Sequence, residues 1–89
     1  AIALIRISGP ESFALVTQMS HLPQSKKLID QPTHTIQYGW IVDCKDSKID
    51  QVLFFLMRAP HSFTGEDSIE ITCHNNPFIV ASIISRAVE

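Results

Sequence analysis

The run Pro60-His61-Ser62-Phe63-Thr64-Gly65-Glu66-Asp67-Ser68-Ile69-Glu70-Ile71-Thr72-Cys73-His74 gathers most of the chemically able side chains of this sequence. It joins an aromatic ring, a Gly turn and two acids to a strand. The polar face of that strand carries Glu70, Thr72 and His74. A carboxylate at a strand centre can accept two parallel N–H donors, such as the guanidine-like edges of pterins and purines. The exposed face of an antiparallel sheet would also place a Glu there. Phe63 is either a ligand-stacking platform or a loop anchor, and Gly65 is free to take positive φ. His74 sits where a strand hands over to a helix N-terminus, a common place for ligand contacts. A satisfied histidine at a strand end is the alternative.

Arg6 is the second anomaly, because it shares a strand face with Ile2 and Leu4. A charge in such a run needs a partner, since an unpaired buried charge is very costly. The partner is either an internal acid, Glu66 or Glu70, or water at the strand end, or the carboxylate or phosphate of a ligand held by the guanidinium fork. Cys73-His74 invites a metal reading, but adjacent strand residues point to opposite faces. No second ligand pair stands at zinc spacing either. No metal site is assigned, and Cys73 reads as a small core residue. There is no Ser-His-Asp set, no paired carboxylates and no GxxxxGK[ST]. Walker-type binding of nucleotide phosphates is therefore excluded, and no catalytic residue is assigned.

The elements that must hold these groups follow from pattern. Ala1–Ile7 reads as a buried strand, apolar on both faces except at Arg6. Ser8-Gly9-Pro10-Glu11 reads as a helix start with a capping box and Pro in the first turn. Phe13, Val16 and Met19, with Leu15, form the apolar stripe of a helix ending near His21. His21 to Pro32 is a polar loop. Over Thr33–Val42, Ile36, Tyr38, Trp40 and Val42 share one face and Thr35, Gln37 and Gly39 the other. Ile49–Met57 is apolar on both faces from Val52 on, as suits a central strand. It should pair with the preceding strand through a loop of about 4–6 residues. In Ser68–His74, Ile69, Ile71 and Cys73 oppose Glu70, Thr72 and His74. Asn76-Pro77 opens a second helix with Val80, Ile83, Ile84 and Ala87 on one face. The order β-α-β-β-β-α implies an α+β fold, a mainly antiparallel sheet with two helices packed on it.

The chain has 89 residues, 45% hydrophobic and 18% charged, which fits one small globular domain over 1-89. A domain this small buries only about 60–65% of its unfolded surface, so a partner would add needed stability. A net charge of −2 argues against a stand-alone nucleic-acid binder; Lys26 and Lys27 read as a solvated loop. Two cysteines, Cys44 and Cys73, make no CxxC and are too few for a disulfide framework, so a reducing compartment fits. No apolar run approaches the roughly 18 residues of a membrane span. The first residues are already strand-like and the last still helical in rhythm, so the sequence is expected to be a fragment of a longer protein.

Two separated segments converge on one family. Ala1-Ile2-Ala3-Leu4-Ile5-Arg6-Ile7-Ser8-Gly9-Pro10 resembles the "GIAIIRISGP" opening of the tRNA modification GTPase family known as MnmE or TrmE. Pro60 to Asp67, running on to Glu70 and Cys73-His74, resembles its "P-x-S-Y-T-G-E-D-x-x-E-x-x-C-H-G-G". His34, Tyr38-Gly39 and Ile49-Asp50 fall where the family tends to carry "H-x-x-x-Y-G" and "I-D". Phe63 replaces the usual Tyr, keeping a ring and losing a hydroxyl. Asn75-Asn76 replaces Gly-Gly; Asn tolerates positive φ, but its side chain takes up the space that glycines leave open.

The resemblance implies the family's N-terminal domain, similar to the tetrahydrofolate-binding domain of aminomethyltransferases. Such a domain binds a one-carbon tetrahydrofolate (5-formyl- or methylene-type) and forms a homodimer with folate sites near its interface. Carried over residue by residue, the cofactor-binding set is Arg6, Phe63, Thr64, Gly65, Glu66, Glu70 and His74. The complete family protein adds helical and GTPase domains, for which alone GTP, magnesium and potassium are expected. It works with a flavin-dependent partner protein on the wobble uridine of tRNA. A cytoplasmic location and no membrane contact are implied. Two rival readings remain: a dimerisation domain that no longer binds folate, and a free-standing aminomethyltransferase-like folate enzyme.

Overall fold

A computed structural model describes residues 2–88. Ala1 and Glu89, which the sequence reading included in the first strand and the last helix, lie outside the described residues. The elements are β1 (Ile2–Ser8), α1 (Ser12–Gln18), β2 (Ser20–His21), β3 (Thr35–Val42), β4 (Lys48–Met57), β5 (Ser68–His74) and α2 (Pro77–Ala87), with short 3-10 turns at Pro23–Ser25 and Leu28–Asp30. The five strands form one sheet in the order β1-β5-β4-β3-β2, and every neighbouring pair is antiparallel. The fold is α+β, in the expected order of helices and long strands.

One face of the sheet is covered and the other is open. Phe13 and Val16 of α1, Met19 just after it, and Ile83 of α2 pack with Val52, Phe54, Leu56, Ile69, Ile71 and Cys73 in a single buried core. The period-2 alternation of β5 is borne out: Ile69, Ile71 and Cys73 face that core. β4 lies between β3 and β5, which explains its apolar run from Val52. The β3–β4 connection is a hairpin closed over residues 43–47, where the Asp43 carboxylate accepts the N–H groups of Lys45 and Ser47, each at 2.9 Å.

Four local expectations are corrected. The first strand is not buried. It forms the sheet edge, paired only with β5, and on its outer face the described residues leave Ile2 and Leu4 76% and 56% exposed. The capping box does not form: α1 begins at Ser12, its N-cap residue Glu11 makes no side-chain cap bond, and Ser8 turns to Thr64. Gly9, at φ 128°, reverses the chain before the helix can start there. The first helix stops at Gln18, because Ser20 and His21 pair with Ile41 and Trp40 of β3. Gly39 permits this approach, since a Cβ there would stand 2.4 Å from the His21 carbonyl oxygen. In α2, Ile84 is half-exposed, and Ile79 packs on the core beside Val80 and Ala87.

The start of α2 matches expectation. Asn76 accepts from the N–H groups of Phe78 (2.8 Å) and Ile79 (3.3 Å), with Pro77 in the first turn. Neither Asn75 nor Asn76 takes positive φ. The second Asn therefore serves as a helix cap and is not a glycine surrogate.

Candidate functional site at the open face of the sheet

Antiparallel register sets Arg6 directly across from Glu70. Both side chains rise from the open face, because residues two apart share a face. Arg6 Nη2 and Nε donate to the same carboxylate oxygen, Glu70 Oε2, at 2.6 and 2.9 Å. The Glu70 side chain is only 10% accessible, whereas that of Arg6 is 44% accessible. Of the two internal partners the sequence allowed for Arg6, the structure selects Glu70. Among the described residues, Glu70 Oε1 and Arg6 Nη1 make no hydrogen bond. One carboxylate oxygen of Glu70 and the outer N–H groups of Arg6 are thus left over in a neutralised pair.

The loop at residues 58–67 brings the remaining groups in. Asp67 fixes its two ends: its carboxylate accepts the Ala59 N–H at 2.8 Å, and its carbonyl accepts the Gly9 N–H at 2.8 Å. Gly65, at φ 79°, lets the tip turn back, and the Ser62 hydroxyl donates to the Glu66 carbonyl at 2.5 Å. The tip then reaches β1. The Thr64 and Ser8 hydroxyls lie 2.7 Å apart, and Arg6 Cζ sits 5.3 Å from the centre of the exposed Phe63 ring. A guanidinium over a ring face is attracted by the ring quadrupole. Arg6 is therefore held between a carboxylate and an aromatic.

The structure brings Arg6, Phe63, Thr64 and Glu70 together. Gly65 contributes through the turn. Glu66 is exposed, and its backbone N–H bonds Thr64 Oγ1 at 3.2 Å, while its carboxylate joins none of these contacts. His74 is not part of the cluster. Four residues further along β5, it stands about 13 Å from Glu70 at a strand rise of about 3.3 Å per residue. There Nδ1 lies 2.8 Å from Asp50 Oδ1.

Cys73 and His74 point to opposite faces, as expected. Burial pushes the Cys73 thiol pKa up, and the nearby Asp50 charge pushes it further. A raised thiol pKa makes a poor nucleophile and a poor ligand. Among the described residues no group of three His, Cys, Asp or Glu side chains could hold a metal ion. No helix there is long and apolar enough to cross a membrane.

Sequence reasoning missed three features. Ser8, taken for a cap, is a contact of the loop tip. Asp50, noted only as part of an "I-D" pair, holds His74. Ile2, Leu4, Ile36, Tyr38 and Leu53 lie exposed on the open face. The signal for the last was available: Ile36 and Tyr38 alternate with Thr35, Gln37 and Gly39, and Gly39 belongs to the buried side.

The whole chain, residues 1–89, matches the family described as "GTP-binding protein TrmE N-terminus". It is 44% identical over 89 residues to the tRNA modification GTPase MnmE of Bacillus pumilus, covering 99% of this chain and 19% of that protein. It is 43% identical to the protein of that name from Christiangramia forsetii (99% of this chain, 18% of the relative) and 42% identical to that of Parabacteroides distasonis (98% and 19%). The chain thus spans about a fifth of the length of these curated relatives. The first strand with its Arg6, the acid-bearing loop and the match over residues 1–89 agree: the chain belongs to the TrmE N-terminal domain family.

Proposed function

We propose that this chain is the folate-binding and homodimerisation domain of a tRNA modification GTPase acting on the wobble uridine of tRNA. It holds a one-carbon tetrahydrofolate and leaves GTP hydrolysis to a domain outside residues 1-89. The observation that supports this most is the Arg6–Glu70 pair under Phe63. Its spare donor and acceptor match the mixed donor–acceptor edge of a pterin, and the ring beside them can cover a flat heterocycle. Thr64 and Glu66 supply further polar atoms at the loop tip. GTP, magnesium and potassium belong to the GTPase domain of the longer protein. The flavin-dependent partner, tRNA and a cytoplasmic setting belong to the same reading. Homodimerisation is supported by the exposed Ile2, Leu4, Ile36, Tyr38 and Leu53 on one sheet face, since contiguous apolar patches mark interaction surfaces.

One observation favours the rival reading, a dimerisation domain without folate affinity. Asn75 and Asn76 carry side chains where the family motif has glycines, beside His74. Calorimetric titration with 5-formyltetrahydrofolate separates the two. Saturable binding that is lost in Glu70→Ala supports the folate site. Absence of binding at millimolar folate to a correctly folded dimer refutes it and leaves the interaction domain.

A further inference from the structure

Antiparallel register sets the side chains of the open face in rows across the strands. Arg6 of β1 stands opposite Glu70 of β5, Glu70 opposite Phe55 of β4, and Phe55 opposite Ile36 of β3. Directly opposed residues share a face, so Phe55 rises from the open face on the flank of Glu70 away from Arg6. Its burial agrees. Phe54, its chain neighbour, is buried in the core, whereas Phe55 is part-exposed and stands outside the core cluster.

The face of that ring is unclaimed. Arg6 lies 5.3 Å from the centre of the Phe63 ring, Arg58 4.1 Å from that of Phe13 and Lys48 4.3 Å from that of Trp40. Among the described residues no ring and no cation stacks on Phe55. Opposed Cβ atoms of neighbouring strands stand about 4.5–5.5 Å apart, within reach of an aromatic side chain. The ring is thus one row position from the carboxylate. Arg6 comes to that carboxylate from β1 and directs both its hydrogen bonds to Oε2. Oε1 remains for a donor from another direction, and β4 flanks β5 on the side opposite β1. A flat heterocycle whose N–H edge meets Oε1 from that side lies over Phe55.

We propose that Phe55 is a specificity-determining residue of the candidate site. It is the platform on which the pterin ring of a reduced folate lies while the N–H edge of that ring donates to Glu70 Oε1. The inference rests on the folate reading and adds to it a residue and an orientation. Glu70 selects for the donor edge of the ligand, and Phe55 selects for a flat ring, because aromatic pairs favour offset stacking.

The test is an NMR titration of the chain carrying isotope-labelled phenylalanine. The ligands are 5-formyltetrahydrofolate and, under anaerobic conditions, 6-methyltetrahydropterin, which keeps the reduced pterin and lacks the aminobenzoyl-glutamate tail. The Phe55 ring resonances should shift with both. Phe55→Leu keeps an apolar residue in the strand and removes the ring; it should weaken both ligands by about fivefold, the scale of one aromatic pair. Phe55→Tyr keeps the ring and should restore the affinity. Unchanged affinity in Phe55→Leu, while Glu70→Ala abolishes binding, would overturn the proposal and leave the folate reading standing. A loss confined to 5-formyltetrahydrofolate would assign Phe55 to the tail and also overturn it. So would a weaker dimer in sedimentation of Phe55→Leu with folate affinity unchanged, which would move Phe55 to the interface. No binding of either ligand to the folded wild type at millimolar concentration would refute the folate reading and this inference with it.

Discussion

Arg6→Ala tests the candidate site and the sheet edge together. The substitution removes two charge-assisted donors from Glu70 Oε2 and leaves a carboxylate that is only 10% accessible. Breaking a fully buried pair costs on the order of 3–5 kcal/mol, because the remaining charge has no partner. Arg6 is 44% accessible and lies on an edge strand, so water can reach the space it vacates. Exposed pairs are worth about 0–1 kcal/mol. This pair lies between the two limits, and we expect a loss of about 1–2 kcal/mol. In a domain of this size each kcal/mol moves the midpoint by about 4–8 °C, so the expected fall in Tm is about 4–16 °C. Thermal unfolding followed by circular dichroism measures it. Glu70→Gln, which keeps the shape and removes the charge, should make Arg6→Ala cheaper in the double variant than in the wild type, a coupling that a double-mutant cycle isolates. Folate affinity should drop by more than tenfold in Arg6→Ala, as losing one partner of a desolvated charge pair costs about 2–5 kcal/mol of binding. Lys26→Ala should change neither. Additive effects of the two substitutions on stability, with equal folate affinity in wild type and Arg6→Ala, would refute the reasoning.

Gly39→Ala should destabilise severely, because the new Cβ would meet backbone, the His21 carbonyl oxygen, at 2.4 Å; a melting point within a few degrees of wild type would contradict this. Asn76→Ala should cost about 1 kcal/mol by removing the cap on α2, read from urea unfolding. The Asp43 carboxyl is held below its ordinary pKa by N–H donors from Ser47 first and Lys45 second. A depressed folded pKa gives stability that is present above the unfolded value and lost as pH falls through the folded one; Asp43→Ala should flatten that acid-side slope, and an unchanged slope argues against the hairpin contact. Tyr38→Lys, at the centre of the open face, should shift a homodimer toward monomer in sedimentation while leaving Tm of the monomer nearly unchanged; an unaltered dimer would place the interface elsewhere.

The sequence was most informative where one rule acted alone. Period-2 alternation placed Ile69, Ile71 and Cys73 inward and Glu70 outward, and the Asn76-Pro77 pair marked the start of α2 within a residue. It was least informative where two rules competed. Ser8 and Glu11 have the right types and spacing for a capping box, but the Gly9 turn and the Thr64 hydroxyl win locally. Ala1–Ile7 is apolar enough for a central strand, yet strand order is a long-range property that hydropathy does not encode, and β1 is at the edge. At the site, the Arg6–Glu70 pair was legible because a charge in an apolar run demands a partner. The Asp50–His74 pair was not, since it forms only where two strands part beyond the end of their ladder.

The Asp67 clamp separates the path of the loop from its chemistry. Asp67 and the backbone atoms of Ala59 and Gly9 fix where residues 58–67 leave and rejoin the sheet, while Phe63, Thr64 and Glu66 decide what the tip offers. Side chains at the tip can therefore be exchanged without re-laying the strands beneath. A cartridge of this kind lets ligand preference drift at nearly constant stability, and a Phe63→Tyr exchange would leave the amide resonances of β1 and β5 in place while adding a hydroxyl above the Arg6–Glu70 pair.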